Sequence, residues 1–117
     1  MNDAWNALPL TALTYHVLLA LADGDRHGYG IIKEVERRTG GEMVIETGTL
    51  YHALKRMLDD GLLEPVPIRE RPKGEDRRRR VYRLQPWGRE VLAAESLRLR
   101  QLLRIAEEKS VIPEGAP

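Results

Sequence analysis

The sequence predicts a mainly α-helical fold with a small β-hairpin (α+β). Apolar residues recur at helical spacing in several segments, and the last of these is long. Between the last two helical patterns, residues 62–84 lose this period and read as two short strands around a loop. A chain of 117 residues suits one domain with a modest core, so extra burial against a second chain is expected.

The first helix is predicted over residues 9–22, with Pro9 at its opening position. Its apolar residues form a broad arc, which indicates burial on more than one side: Leu10, Leu13, Val17, Leu18 and Leu21. The sequence Asp23-Gly24-Asp25 ends this helix. A second short helix follows and ends at Gly40-Gly41, with an apolar face formed by Ile31, Ile32 and Val35.

Residues 47–60 predict a third helix with two unlike faces. One arc is apolar and suits a core: Leu50, Ala53, Leu54, Met57 and Leu58. The opposite arc carries two cations, small residues and one acid: Gly48, Thr49, His52, Lys55, Arg56 and Asp59. Thr47 is the expected N-cap and Gly61 the expected left-handed residue after the helix. Residues 43–46 are expected as a short extended linker.

Two short helices on a tight link, the second positive on its outer face, form a helix-turn-helix pattern. Such an outer face suits the major groove of double-stranded DNA. The third helix by itself is also compatible with an ordinary amphipathic surface helix, whose lysine and arginine are simply solvated.

Residues 62–84 predict the hairpin that makes this a winged helix-turn-helix. Pro65 and Pro67 restrict the first strand to a sheet edge, and residues 80–84 form the return strand. The tip is basic: residues 69–83 hold eight Lys or Arg against three acids, on a chain with net charge +1. A solvated loop is the alternative for this run of arginines.

The last helix is predicted over residues 86–109, about 36 Å long. Its apolar stripe is too long for one small domain to cover, and we expect it to pair with a second copy: Leu92, Leu99, Leu102, Leu103 and Ala106. Packing along its own domain is the alternative. The domain plan is therefore a DNA-binding unit at 9–85, a dimerisation helix at 86–109 packed on the first helix, and flexible ends at 1–8 and 110–117.

Several classes of protein are disfavoured. The chain has no cysteine, which excludes disulfides and thiolate metal sites and fits a reducing cytoplasm, where we expect it to act. Neither a secretory signal nor a membrane-spanning stretch is visible. His16, His27 and His52 lack metal-ligand spacing, and no phosphate loop or nucleophile motif is present, so we expect no metal, no cofactor and no enzymatic activity.

Three segments resemble the PadR family of bacterial transcriptional regulators. They are LLALADGDRHGYGIIKEVE at 18–36, GTLYHALKRMLDDGLLE at 48–64 and RRRRVYRLQPWGREVLAAE at 77–95. The Gly-Thr-Leu-Tyr sequence at residues 48–51 is the most diagnostic part, and the short C-terminal region is similar to the subgroup with a single final helix. The sequence departs from the family's common pattern at Gln85, where threonine is frequent, and at Trp87.

The resemblance implies a winged helix-turn-helix that dimerises through its last helix and represses a nearby operon. It also implies release from DNA by a small apolar or aromatic effector. Thr49, Tyr51 and Lys55 match positions that meet DNA in such proteins, Tyr29 matches a junction tyrosine near phosphates, and the wing arginines match strand-tip contacts. Because His52 occupies a variable position, the target sequence does not transfer from relatives.

The residues themselves suggest roles at the DNA. Lys55 and Arg56 can reach guanine, and which of them meets bases rather than phosphates stays open. Gly48, Thr49 and the start of the third helix can hold a phosphate. The wing is expected to neutralise phosphates or enter the minor groove through Arg71, Lys73, Arg77, Arg78 and Arg79.

The sequence leaves two further questions open. Trp5 and Trp87 are candidates for stacking on a flat effector, although each could simply cover a helix start. Tyr51 lies between the two arcs of the third helix and could bond a phosphate or belong wholly to the core. For the function, the alternatives are a winged-helix module that binds protein and a DNA-binding protein without sequence preference.

Overall fold

In residues 3–74 and 78–116, which the computed structural model describes, the chain forms four α-helices and three short strands. The helices are α1 (Ala12–Ala20), α2 (Gly28–Arg38), α3 (Thr47–Asp59) and α4 (Pro86–Glu108). The strands are β1 (Arg26–His27), β2 (Leu63–Pro65) and β3 (Val81–Leu84), and 3-10 helices span Asp3–Ala7 and Ile68–Glu70. The predicted mainly α fold with an antiparallel hairpin is confirmed.

The sheet has three strands in the order β1-β3-β2, all antiparallel. β2 and β3 form the predicted hairpin, with Leu63 opposite Leu84 and Pro65 opposite Tyr82. β2 ends at Pro65, although the Val66 backbone N–H still donates to the Val81 carbonyl at 2.8 Å. Pro67, which has no N–H to donate, then precedes the 3-10 helix. The sequence did not predict β1, since two residues are too few to show a period.

The core lies where α1, α2, α3 and the start of α4 meet. The apolar arc of α3 points into it as predicted, with Leu50, Ala53, Leu54 and Met57 buried. Leu18, Ile31 and Val91 are fully buried around them. Each of these side chains larger than alanine stabilises the fold by roughly 1.5–3 kcal/mol relative to exposure. The position of α3 is thus fixed by its inner face, which leaves the outer face free for a partner.

The prediction that α1 starts at Pro9 is wrong. Thr11 is the N-cap, and its Oγ1 accepts a hydrogen bond from the Thr14 backbone N–H at 3.1 Å. The residue before the cap is held by α4 instead, because the Leu10 backbone N–H donates to Glu95 Oε2 at 2.8 Å. Residues 3–7, expected as part of a flexible start, form a 3-10 helix packed on α4 with Ala4 fully buried.

One boundary of α3 differs from the prediction and the other agrees. Glu46, not Thr47, is the N-cap residue, and it makes no side-chain capping bond. Thr47 is already helical, so its hydroxyl cannot take the predicted capping role. At the other end Gly61 has φ +74°, the left-handed conformation expected after a helix, and the Leu62 N–H bonds the Met57 carbonyl at 2.9 Å.

The start of α4 rests on the end of α3. The Gln85 backbone N–H donates to the Leu62 carbonyl at 2.9 Å, and a Cβ on Gly88 would lie 2.2 Å from that same oxygen. Glycine is therefore required at position 88 for this close approach. Gln85 makes no side-chain capping bond to α4, and its Nε2 donates to Glu64 Oε2 instead.

Candidate nucleic-acid interface

The outer face of α3 is exposed along its whole length, and it carries all six residues that the sequence assigned to DNA on this helix: Gly48, Thr49, Tyr51, His52, Lys55 and Arg56. At 100° per residue, Gly48, His52 and Lys55 lie within about 60° of one another at the centre of this face. Within residues 3–74 and 78–116, the side chains of Lys55 and Arg56 form no hydrogen bond or ion pair. Both charges are available to a partner.

Gly48 is not needed by the fold. A Cβ built there meets nothing within 4 Å, and its φ is not in the left-handed region. A glycine inside a helix destabilises it by up to about 1 kcal/mol relative to alanine. A bare backbone at an exposed position on this face suits a surface that another molecule approaches closely.

Tyr51 lies on one flank of α3 and is 46% exposed, so it is not a core tyrosine. Its ring packs against the start of α2, where a Cβ on Gly28 would fall 2.6 Å from Tyr51 Oη. The glycine of the His-Gly-Tyr junction therefore makes room for the Tyr51 ring. This contact leaves the hydroxyl at the junction between α2 and α3, beside the wing.

The start of α2 is organised by His27, a residue that the sequence reasoning did not assign to the site. Its Nδ1 accepts the Gly30 backbone N–H at 3.0 Å as the N-cap of α2, and Arg79 Nη1 lies 3.1 Å from its Nε2. Tyr29 stacks on the His27 ring at 6.5 Å between centroids and is 56% exposed. Lys33 Nζ lies 5.4 Å from the Tyr29 centroid, a cation–π contact.

These residues form a groove of about 420 Å³ between α2 and the wing, here called the α2–wing groove. It is lined by His27, Gly28, Tyr29, Tyr51, Arg78, Arg79 and Arg80. The structure thus brings together four residues assigned from sequence, namely Tyr29, Tyr51, Arg78 and Arg79. Three arginines and two tyrosine hydroxyls in one groove can neutralise and bond a phosphate.

Arg71 has a different role from the predicted one. Its Nε and Nη2 donate to the Val66 carbonyl at 3.1 and 2.9 Å, and its Nη1 donates to the Arg79 carbonyl at 2.6 Å. The guanidinium therefore ties the two arms of the wing together across the loop. We assign Arg71 to wing structure, and its charge is only partly available to DNA.

The other wing cations separate into paired and exposed groups. Arg83 pairs with Asp25 and Glu70, both at 3.0 Å, and the hydrogen bonds to these carboxylates raise the pKa of the guanidinium. Lys73 is exposed beyond the strands. Arg77, also assigned to DNA, lies outside the described residues.

A second groove, of about 370 Å³, lies on the other flank of α3 and is here called the α1–α3 groove. The α3 wall consists of Gly48, Thr49, His52, Ala53 and Arg56, and the opposite wall consists of Thr11, Leu13 and Thr14. The sequence reasoning did not assign Thr11 and Thr14. No sequence signal marks them, because they reach the site only through the packing of α1 on α3.

The two halves of α4 differ. In the first half Val91, Leu92 and Ala94 are buried in the core. In the second half the apolar stripe is left uncovered, with Leu99, Leu102 and Leu103 exposed by 38%, 51% and 50%, and Ala106 is half-buried. The prediction of Leu92 as a dimerisation residue is therefore corrected, because its side chain is buried in its own domain.

Comparison with known proteins agrees with this geometry. Residues 17–94 match the model of the transcriptional regulator PadR-like family, two thirds of the chain. The transcriptional regulator Rv3488 of Mycobacterium tuberculosis is 36% identical over 93 residues, which cover 80% of each chain. The chain belongs to the PadR-like family of transcriptional regulators.

Solved structures support the same fold for this PadR-like chain. A PadR family regulator from Clostridium difficile superposes with a TM-score of 0.68 at 26% identity, covering 84% of this chain and 97% of the other. Bacillus subtilis PadR in complex with operator DNA gives 0.61 at 23% identity. That match covers 74% of this chain and 47% of the other. The winged helix-turn-helix is confirmed, and a member of this family is a regulator and not an enzyme.

The two tryptophans of the PadR-like chain lie at helix starts. Trp5 belongs to the 3-10 helix Asp3–Ala7 and is 41% exposed, while Trp87 is half-buried in the first turn of α4 and packs against the core. Neither lines the α2–wing groove or the α1–α3 groove. Effector binding at these positions stays a prediction.

Two further findings concern the described part of the chain. Its His, Asp and Glu side chains form no cluster of three or more suited to a metal ion. Across residues 3–74 and 78–116, no helix combines the length and apolar character that crossing a bilayer requires.

Proposed function

We propose that this PadR-like regulator binds double-stranded DNA in a sequence-specific manner as a homodimer. The observation that carries the proposal is the outer face of α3, which presents unpaired cations and a bare backbone at Gly48 between two polar grooves. A small helix of this kind fits the major groove, where base edges offer a distinct hydrogen-bonding pattern for each pair. Bacillus subtilis PadR, of similar fold, has been solved with operator DNA.

Within α3, we assign base recognition to Lys55 and His52. Both lie at the centre of the outer face, so they point to the floor of the major groove when α3 enters it. Arg56 lies about 40° beyond His52 and about 100° beyond Lys55 around the helix axis, and it lines the α1–α3 groove, which suits a contact at the side of the major groove. Thr49 lies on the same flank.

The α2–wing groove is the proposed binding site for the sugar-phosphate backbone of one DNA strand. Tyr29 and Tyr51 offer hydroxyl donors, and Arg78, Arg79 and Arg80 supply positive charge from the wing. Charge-assisted bonds to phosphate are shorter and stronger than neutral ones. Lys73 and Arg77 extend the same basic tip, while Arg71 holds its shape.

The exposed second half of α4 is the proposed dimer interface. Leu99, Leu102 and Leu103 form the centre of the stripe, and a second copy of the same helix would cover it by a two-fold contact. A two-fold dimer presents two α3 helices, so the operator is expected to be near-palindromic with half-sites about one helical turn apart.

Repression and effector release complete the proposal. A dimer bound at a promoter blocks the polymerase, and a small aromatic or apolar molecule that binds near the dimer seam would change the distance between the two α3 helices. Trp5 and Trp87 are the candidate stacking residues. Quenching of tryptophan emission by such a molecule, lost in Trp87→Ala, supports this site, and an unchanged emission spectrum with every aromatic compound tested counts against it.

The test of the proposed function is DNA binding across a salt series. We expect tight binding to the duplex immediately upstream of the chain's own gene, weak binding to a scrambled duplex, and a steep fall of affinity with salt. Enrichment from a random-sequence duplex library covers an operator located elsewhere. Equal affinity for all duplexes would identify a DNA-binding protein without sequence preference. No binding at low salt would leave a protein-interaction module.

A further inference from the structure

We propose that the α1–α3 groove holds the backbone of the second DNA strand, with the Thr14 hydroxyl donating to a phosphate. This inference depends on the DNA binding proposed above. It adds α1 to the DNA-binding surface and makes Thr14 a residue that contacts DNA. It also assigns Arg56 to the same backbone.

The placement of the two grooves is the first argument. α3 stands as a ridge between them, with Tyr51 on the α2 flank and Arg56 on the α1 flank. A helix inserted into a major groove about 12 Å wide has a sugar-phosphate backbone on each side. If the α2–wing groove takes one backbone, the α1–α3 groove faces the other.

The hydroxyl pair at the start of α1 is the second argument. Thr11 Oγ1 accepts the Thr14 backbone N–H at 3.1 Å and donates to Thr14 Oγ1 at 2.9 Å. Both functions of the Thr11 hydroxyl are thus used inside the helix cap. In the described part of the chain the hydroxyl hydrogen of Thr14 has no acceptor, so it is the donor left for a ligand.

The charge of the walls is the third argument. Of the eight described residues that line the α1–α3 groove, none is acidic, and Arg56 supplies a positive charge. A third groove, between α1 and α2, contains Asp23 and Glu34 in its walls. The α1–α3 groove therefore suits an anion, and the third groove does not.

The test uses Thr14→Val, which removes the hydroxyl and keeps the shape, with Thr14→Ser as the matched control that keeps the hydroxyl. The probe is the duplex enriched from the random-sequence library, compared with its scrambled version by fluorescence anisotropy. The proposed homodimer carries two Thr14 side chains, so Thr14→Val removes one hydrogen bond in each half-site and should weaken binding to both duplexes about 10- to 100-fold. Thr14→Ser should bind within about twofold of the wild type.

Single methylphosphonate substitutions locate the contact. Replacing each phosphate in turn by the neutral group should identify, in each half-site, one phosphate whose loss weakens the wild-type protein but leaves Thr14→Val unchanged. The same scan with Arg78→Gln should identify phosphates on the other strand, whose replacement weakens the wild-type protein but not this variant. The Thr14 phosphate should lie across the major groove from them.

Three results would overturn the inference while leaving the proposed function intact. The first is an affinity of Thr14→Val for DNA equal to that of the wild type. The second is a loss of affinity that depends on the identity of one base pair in the duplex. The third is a shift of the monomer–dimer equilibrium while the DNA affinity of the dimer stays unchanged. The last result would mean that the groove faces a second copy of the chain. Failure of the wild-type protein to enrich or bind any duplex would instead refute the proposed function.

Discussion

Neither the outer face of α3 nor the second half of α4 is covered by the described residues, and the two surfaces differ in charge and polarity. The first presents Lys55, Arg56 and hydroxyl groups, without ion pairs to these two cations in the described residues. The second presents a leucine stripe that is 38–51% exposed at Leu99, Leu102 and Leu103.

This difference teaches which partner each surface takes. Unpaired cations gain most from phosphates, whose counterions they displace, whereas a contiguous apolar stripe gains most from a second apolar surface. The proposed function therefore assigns one surface to DNA and the other to a second copy of the chain, and the two surfaces are joined through the contact between Gly88 and Leu62 at the start of α4.

The largest effect is expected from Leu99→Asp. A carboxylate in the centre of the apolar stripe cannot be buried without a large desolvation cost, so the dimer should dissociate at micromolar concentration. Because two linked half-site contacts become one, affinity for the enriched duplex should fall about 100-fold or more. Light scattering and anisotropy measure the two quantities.

Gln101→Asp is the control for Leu99→Asp, because it adds the same charge on the opposite side of α4, at an exposed position. It should remain dimeric. A dimeric mass for Leu99→Asp, or equal dissociation of both variants, would contradict the assignment of the stripe as the interface.

Gly88→Ala tests the joint between the two surfaces. The added Cβ would lie 2.2 Å from the Leu62 carbonyl oxygen, a backbone atom that cannot move without shifting the end of α3. We expect a loss of about 3 kcal/mol in the free energy of unfolding, or roughly 10 °C in Tm. Chemical and thermal denaturation measure it.

Gly48→Ala is the matched comparison, since nothing lies within 4 Å of the new Cβ. The free protein should gain up to about 1 kcal/mol of stability while its DNA affinity falls. Unchanged DNA affinity in this variant would argue against close approach of DNA to α3.

Lys55→Ala and Arg56→Ala separate base recognition from backbone contact. Lys55→Ala should cost about 1–3 kcal/mol per half-site on the enriched duplex and much less on the scrambled one. Arg56→Ala should weaken both duplexes alike and reduce the salt slope by about 1 per half-site, or about 2 for the homodimer. The reverse pattern would exchange the two assignments, and anisotropy across a salt series distinguishes them.

Glu95 lies in the buried half of α4, and its carboxylate accepts a hydrogen bond from the Leu10 backbone N–H. The hydrogen bond from Arg98 holds the pKa of this carboxyl below its ordinary value, against the opposing effect of burial. Its stabilising contribution is therefore present above the pKa of the unfolded chain and is lost as the pH falls through the folded pKa.

Glu95→Gln should accordingly be less stable than the wild type by about 1 kcal/mol at neutral pH. The gap should narrow as the pH is lowered from about 5, with Glu90→Gln as the exposed control. A gap that stays constant down to acid unfolding would show that the charge of Glu95 contributes nothing.

The sequence predicted α3 and α4 best, because long segments with a clear period place their apolar residues on one face. It missed β1, whose two residues show no period, and it misplaced the start of α1, where Thr11 caps the helix and not Pro9. Pro9 satisfies the local rule for a first helical residue, but the neighbouring Leu10 N–H is bonded to Glu95, which lies 85 residues away in the chain. A local sequence rule cannot predict such a contact.

For the candidate site, the sequence indicated which residues take part but not how their side chains are paired. Arg71 and Arg83 counted as basic residues in the sequence, yet their partners are carbonyls and carboxylates that only the folded wing brings near them. His27, Thr11 and Thr14 were missed for the same reason, since each enters the surface through contacts between helices. Charge in a sequence does not distinguish a free cation from a paired one.

The most direct test of the central claim is the mass of the complex between the full chain and the enriched duplex. Sedimentation at low salt should give two protein chains per duplex and no stable complex with one, because in the proposed dimer α4 joins the two α3 surfaces before they reach DNA. A complex of one chain per duplex with the full affinity, or no complex at all, would contradict the account.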